Sequence, residues 1–127
     1  MSVKYQIIPR KNPQDPMAPE KYYASAIGDG KTGLERLAQL ISYQSTVTEA
    51  DCLAVLVSLE HNITEELQQG RIVSLGRIGN FQVGISSEGK VDPSEVSVHS
   101  IIKNRILFRP AKRLRQMLAT VNYQKIL

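Results

Sequence analysis

A chain of 127 residues has room for one domain and is short for two, and 42% hydrophobic with 22% charged residues is a globular balance, not a disordered one. No apolar run approaches the ~18 residues that a membrane-spanning helix needs, and the polar–apolar alternation of Met1 to Arg10 lacks the apolar stretch of a signal peptide. The single cysteine, Cys52, excludes an intrachain disulfide and reads as a small buried hydrophobe in a reducing cytoplasm, while the net charge of +4 leaves an acidic partner open.

In chain order, residues 3–8 alternate as a strand, with Val3, Tyr5 and Ile7 on one side and Lys4 and Gln6 on the other. Pro9, Pro13, Pro16 and Pro19 predict a connection that is neither helix nor central strand. Lys21–Ile27 is strand-like again, so a strand pair is expected within residues 1–30, ahead of a main domain over 31–127. Thr32-Gly33-Leu34-Glu35 has the capping-box form and predicts a helix through about Ser42, with Leu34, Leu37, Ala38 and Ile41 as its buried stripe. Thr48 opens a second helix in the same way, and Gly70 stops it. Between Ala50 and Leu59 only Asp51 and Ser58 are polar, so this helix needs cover on two sides. In so short a chain the second cover is most simply a partner subunit.

Arg71–Leu75 and Asn80–Ile85 read as strands around Gly76-Arg77-Ile78-Gly79, whose glycines suit positive φ or a close backbone approach. Residues 84–105 form the next segment, polar and interrupted by Gly84, Gly89 and Pro93, and are expected to be a mobile arm. Ser100–Phe108, overlapping its end, reads as a third strand. Pro110 is placed to begin a last helix, with Leu114, Met117, Leu118 and Val121 at helical spacing. The fold class is α+β, in the order (β-β)-α-α-β-β-β-α.

Charge is distributed unevenly along this order. Residues 96–127 carry Lys103, Arg105, Arg109, Lys112, Arg113, Arg115 and Lys125 and no acid, whereas the rest of the chain is net acidic. That asymmetry favours a polyanionic partner, with a merely solvated basic face as the alternative. Arg109, Lys112, Arg113 and Arg115 are candidate phosphate contacts, helped by free amides at the helix start near Pro110 and Ala111. Arg77, between two glycines in a tight turn, is a further candidate, and Lys90, Lys103 and Arg105 lie in the arm.

Other chemistries find little support in the residue pattern. Gly28-Asp29-Gly30-Lys31-Thr32 ends like a phosphate-binding loop, but Ser25 stands where the pattern needs its first glycine, and a turn before a helix fits better. His61 and His99, with Cys52, do not approach metal-ligand spacing, and no catalytic grouping of Ser, His and Asp is visible. No enzyme activity, cofactor, metal or membrane partner is expected.

Three segments resemble the HU and integration host factor family of bacterial histone-like proteins. Thr48-Glu49-Ala50-Asp51 through Gln69-Gly70 is similar to the family's long second helix and its glycine stop. Val73-Ser74-Leu75-Gly76-Arg77-Ile78-Gly79-Asn80-Phe81 resembles its strand and Gly-x-Gly-Asn-Phe turn. Phe108-Arg109-Pro110-Ala111-Lys112-Arg113-Leu114-Arg115 resembles the entry to its last helix, with Ala111 where a glycine is usual. The likeness covers about residues 32–120, so residues 1–30 read as an added strand pair. It implies a helical dimer body, a three-stranded antiparallel sheet and a β-arm, as homodimer or heterodimer with a paralogue. It further implies a cytoplasmic, nucleoid-associated protein that binds double-stranded DNA with low specificity, organising or bending it; Pro93 is then the arm-tip wedge candidate. In residues 84–105 the bases Lys90, Lys103 and Arg105 are balanced by Glu88, Asp92 and Glu95. That neutral arm keeps an alternative open, a dimeric scaffold with weakened DNA binding that serves as a protein-interaction module through its N-terminal strands.

Overall fold

The computed structural model describes residues 1–126. Its elements are β1 (Val3–Arg10), β2 (Lys21–Ile27), α1 (Leu34–Tyr43), α2 (Glu49–Gln68), β3 (Val73–Ser74), β4 (Gly79–Ser87), β5 (Ile101–Pro110), α3 (Lys112–Ala119) and β6 (Tyr123–Lys125). They fall into two compact units, Met1–Gly33 with the segment from Met117, and Leu34–Gln116. The α+β order matches the sequence expectation, extended by one short strand at the C-terminal end.

In the first unit β1 pairs antiparallel with β2 and parallel with β6, giving the order β2-β1-β6. The parallel edge is closed by two flanking bonds, Val3 N–H to Asn122 O at 2.8 Å and Ile126 N–H to Tyr5 O at 3.0 Å. Pro9 is a correction: it lies inside β1, opposite Tyr22, and not in the connection. A proline is tolerated there because β6 reaches only Val3 to Tyr5, so at Pro9 the strand is paired on one side alone. Val121 also departs from expectation. The helix ends at Ala119, where the amide and hydroxyl of Thr120 both donate to Met117 O, so Val121 lies beyond it.

The connection between β1 and β2 is two successive turns. Asp15 N–H donates to Asn12 O at 3.2 Å and Ala18 N–H to Asp15 O at 3.1 Å, each turn with a proline at its second position. Asn12 Oδ1 and Asp15 Oδ1 in turn accept from the Gln14 and Met17 amides, so both side chains fix the turns they open.

In the second unit α1 packs on α2, and β3, β4 and β5 form an antiparallel sheet. Helix α1 begins at Leu34, so Thr32 is too early to cap it. Helix α2 follows its sequence signals closely. Thr48 caps it with extended backbone, its hydroxyl accepting from the Asp51 amide at 3.2 Å. At the far end Gly70 has φ +82°, its amide donates to Leu67 O and that of Arg71 to Glu66 O, the paired bonds of a glycine-terminated helix. Thr48→Ala is expected to cost about 1 kcal/mol, read as a lower denaturation midpoint, with Thr48→Asp retaining stability. An unchanged midpoint in the alanine variant would show that the cap contributes nothing.

The β4–β5 hairpin runs in register from Gly79↔Pro110 to Ser86↔Lys103, with an irregularity before Ser87↔Ile101. Residues 88–100 form the tip that joins the two strands. They contain two 3-10 turns, Pro93–Glu95 and Val98–Ser100. Side chains stabilise them locally: Asp92 accepts from the Ser94 amide, while Ser97 and Ser100 cap one another's backbone. The Glu88 amide, donating to Ser100 O at 2.8 Å, closes the base of the tip.

Burial is sparse. Ala38 and Cys52 are the buried apolar residues, and no large side chain is fully buried among the described residues. Leu34, Leu37 and Ile41 of α1 and Val55, Val57 and Leu59 of α2 remain exposed.

Candidate nucleic-acid interface

The turn between β3 and β4 is built by two glycines. Ile78 N–H donates to Leu75 O at 3.1 Å, and Gly76 at the second position has φ +56° while Arg77 does not have positive φ. This is the type II′ pattern, which glycine supplies at little steric cost. Gly79 ends the turn at φ +153°, and a Cβ there would stand 2.4 Å from Arg109 O and 2.9 Å from the Phe108 ring. The missing side chain lets β4 lie against β5 at the point where Phe81 and Phe108 pack with ring centroids 4.9 Å apart.

A single hydrogen bond joins this turn to the start of α3: Ala111 N–H to Ile78 O, 3.0 Å. The Ala111 amide is thereby used, and the free amides expected at the helix start lie just after it. The amides left without an intrahelical acceptor are those of Lys112, Arg113 and Leu114, since the first helical bond runs from Arg115 N to Ala111 O. Ala111 needs no positive φ, so alanine fits where the resembling family has glycine. The result is an open hollow of about 470 Å³ lined by Gly76, Arg77, Ala111, Lys112, Arg113 and Gln116. Arg77 thus meets Lys112 and Arg113, distant from it in sequence, at the N-terminal end of a helix whose free amides and dipole favour an anion. Arg115 is exposed on α3 but does not line the hollow.

A second group forms on the hairpin. The register sets Lys103, Arg105 and Arg109 opposite Ser86, Gly84 and Asn80, so all three share one face, with Leu107 and Gln82 between them. The guanidinium of Arg105 donates to Ser86 Oγ at 2.9 Å, and Gly84 leaves the room that Leu107 and Arg105 occupy. Asn80, Gln82 and Ser86 were not singled out from sequence. The alternation of 80, 82, 84 and 86 was legible, but which cations it faces follows only from the strand register.

Among the described residues the ion pairs are Lys4–Asp29, Lys11–Glu20, His61–Glu65, Arg71–Glu66 and Lys90–Glu88. None involves Arg77, Lys103, Arg105, Arg109, Lys112, Arg113 or Arg115. Lys90 stands apart: Glu88 lies 3.5 Å from its ammonium, at the hairpin tip. Pro93 is exposed there and opens the first 3-10 turn. Beside it the Ser94 backbone and side chain hold the Asp92 carboxyl below its ordinary value of 3.8. The run Gly28–Thr32 joins an antiparallel strand pair to α1, not a parallel nucleotide-binding sheet.

The family model described as "HU domain fused to wHTH, Ig, or Glycine-rich motif" (HU-HIG) matches residues 1–125. This chain belongs to the HU-HIG family. Among curated proteins none matches the sequence. A Bacteroides vulgatus protein, provisionally named a bacterial DNA-binding protein, is similar in fold at TM-score 0.65 and 10% identity over 98% of this chain. The HU-HIG chain spans 48% of that structure, about half its length. An HU from Anabaena, crystallised with DNA, matches at TM-score 0.55 and 19% identity over 70% of this chain and 99% of its own. These similarities establish the HU-like fold of the HU-HIG chain. No helix among its described residues is long and apolar enough to cross a membrane.

Proposed function

We propose that this HU-HIG protein binds double-stranded DNA as a dimer, with little sequence preference, and helps to organise or bend it in the nucleoid. The observation that carries the reading is the meeting of Arg77, Lys112 and Arg113 at the open helix start, without a carboxylate partner for any of them among the described residues. Cations left unpaired at amides that also lack acceptors are suited to phosphate oxygens. The face bearing Lys103, Arg105 and Arg109 supplies further contacts, with residues 84–105 acting as the arm and residues 31–127 as the DNA-binding domain. Affinity is expected to rest chiefly on charge and DNA shape. The complex of the Anabaena HU with DNA agrees with this partner.

Exposed surface supports the dimer. The chain exposes 10952 Å², whereas its two units, counted as separate folded bodies of their sizes, would expose about 8000 Å². Leu34, Leu37 and Ile41 of α1 and Val55, Val57 and Leu59 of α2 are part of this exposed surface, and a second copy or a paralogue would cover them.

Titration with two unrelated duplexes at several salt concentrations tests binding. Similar affinities are expected, with log affinity falling linearly against log salt. Sedimentation should report twice 14.2 kDa. A folded monomer would overturn the dimer. No salt-dependent binding would overturn the DNA assignment in favour of a protein-interaction scaffold.

A further inference from the structure

We infer that the far end of the β1–β2 hairpin is a second contact for the phosphate backbone of DNA, formed by Arg10 and Lys21. The inference rests on the proposed DNA binding and adds a site beyond the two groups of cations described above. Arg10 and Lys21 are direct partners in the antiparallel ladder. Like charges directly opposite each other destabilise a strand pair, so this pairing costs stability unless an anion lies between them. No carboxylate among the described residues pairs with either side chain. The two acids of the connection are already committed: Glu20 lies 3.8 Å from Lys11, and Asp15 accepts from the Met17 amide.

The surroundings have the form of a shallow site. Arg10, Lys11 and Lys21, with Asn12 and Tyr23, line a hollow of about 490 Å³, and no acid lines it. The two proline turns that close the hairpin hold the strand ends at this spacing. An oxyanion between the two cations would convert their repulsion into attraction. A duplex offers such oxyanions in series, which suits a protein whose other cations already seek the same chemistry.

Arg10→Glu separates this role from a structural one. Glutamate opposite Lys21 replaces a like-charge pair with an opposite-charge pair, so the thermal midpoint should hold or rise. Duplex affinity should nevertheless fall, with the salt slope flatter by about 0.9 for each phosphate no longer neutralised. Arg10→Lys should keep both, and Arg10→Gln with Lys21→Gln should flatten the slope by about 1.8 per protomer engaged on DNA. If Arg10→Glu binds DNA with unchanged affinity and slope while the unaltered protein shows salt-dependent binding, the second site is overturned and the first stands. If the unaltered protein shows no such binding, the DNA reading itself has failed.

Discussion

Lys112→Glu combined with Arg113→Glu is expected to produce the largest loss of DNA binding of any surface pair in this protein. The two side chains line the open hollow together with Arg77, beside the free amides of α3. Each neutralised phosphate contributes about 0.9 to the slope of log affinity against log salt, so removing two such cations flattens it by about 1.8 per protomer engaged on DNA. Glutamates in the first turn of α3 suit the positive end of its dipole, so folding should be little affected. Lys90→Glu makes a sensitive control, because Glu88 already offsets the Lys90 charge. Unchanged affinity and slope in the double variant would show that DNA does not engage this surface. A larger loss from Lys90→Glu would move the principal contact to the hairpin tip.

Gly79→Ala should be the most damaging single methyl in the chain. The added carbon would lie 2.4 Å from a backbone oxygen that the strand pairing holds in place, and 2.9 Å from the Phe108 ring. The backbone there also has φ +153°, which a side chain rarely adopts. Strain and overpacking together should cost on the order of 3–5 kcal/mol. Gly76→Ala is the informative comparison, with φ +56° but open space around the site, and should cost about 1–2 kcal/mol. Denaturant midpoints at one fixed protein concentration would measure both, since a dimer's stability varies with concentration. Equal midpoints for the two variants would show that the close approach of β4 to β5 contributes nothing.

Local chemistry was legible in the sequence; long-range pairing was not. The ends of α2 could be read from Thr48 and Gly70 because each uses bonds within a few residues. The Gly76–Gly79 turn was readable for the same reason. The meeting of Arg77 with Lys112 and Arg113 depends on the bond from Ala111 to Ile78, which no periodicity announces. Strand β6 escapes a reading of the sequence because Tyr123, Gln124 and Lys125 are too few to show alternation, and their partner is β1 at the other end of the chain. Pro9 misleads because what a proline excludes from a strand depends on how far the neighbouring β6 extends. Likewise, the turns at the hairpin tip need Asp92, Ser97 and Ser100 acting together, and only the first is conspicuous beside its proline.

The parallel pairing of β1 with β6 also sets an order of events during synthesis. The hairpin of β1 and β2 can close as soon as residue 27 is clear of the ribosome, because all its bonds are local. The third strand cannot be added until residue 125 has been made. Throughout that interval Val3, Lys4 and Tyr5 present an open strand edge to neighbouring nascent chains, the kind of edge on which aggregation starts. The strand runs on to Arg10, and because β6 covers only Val3 to Tyr5 the rest of that edge stays open in the finished protein. Along the whole strand lie a proline, Pro9, and two charged residues, Lys4 and Arg10. An edge interrupted by charges and a proline is a poor template for a foreign strand, which lets the protein leave its first strand unfinished until its last one arrives.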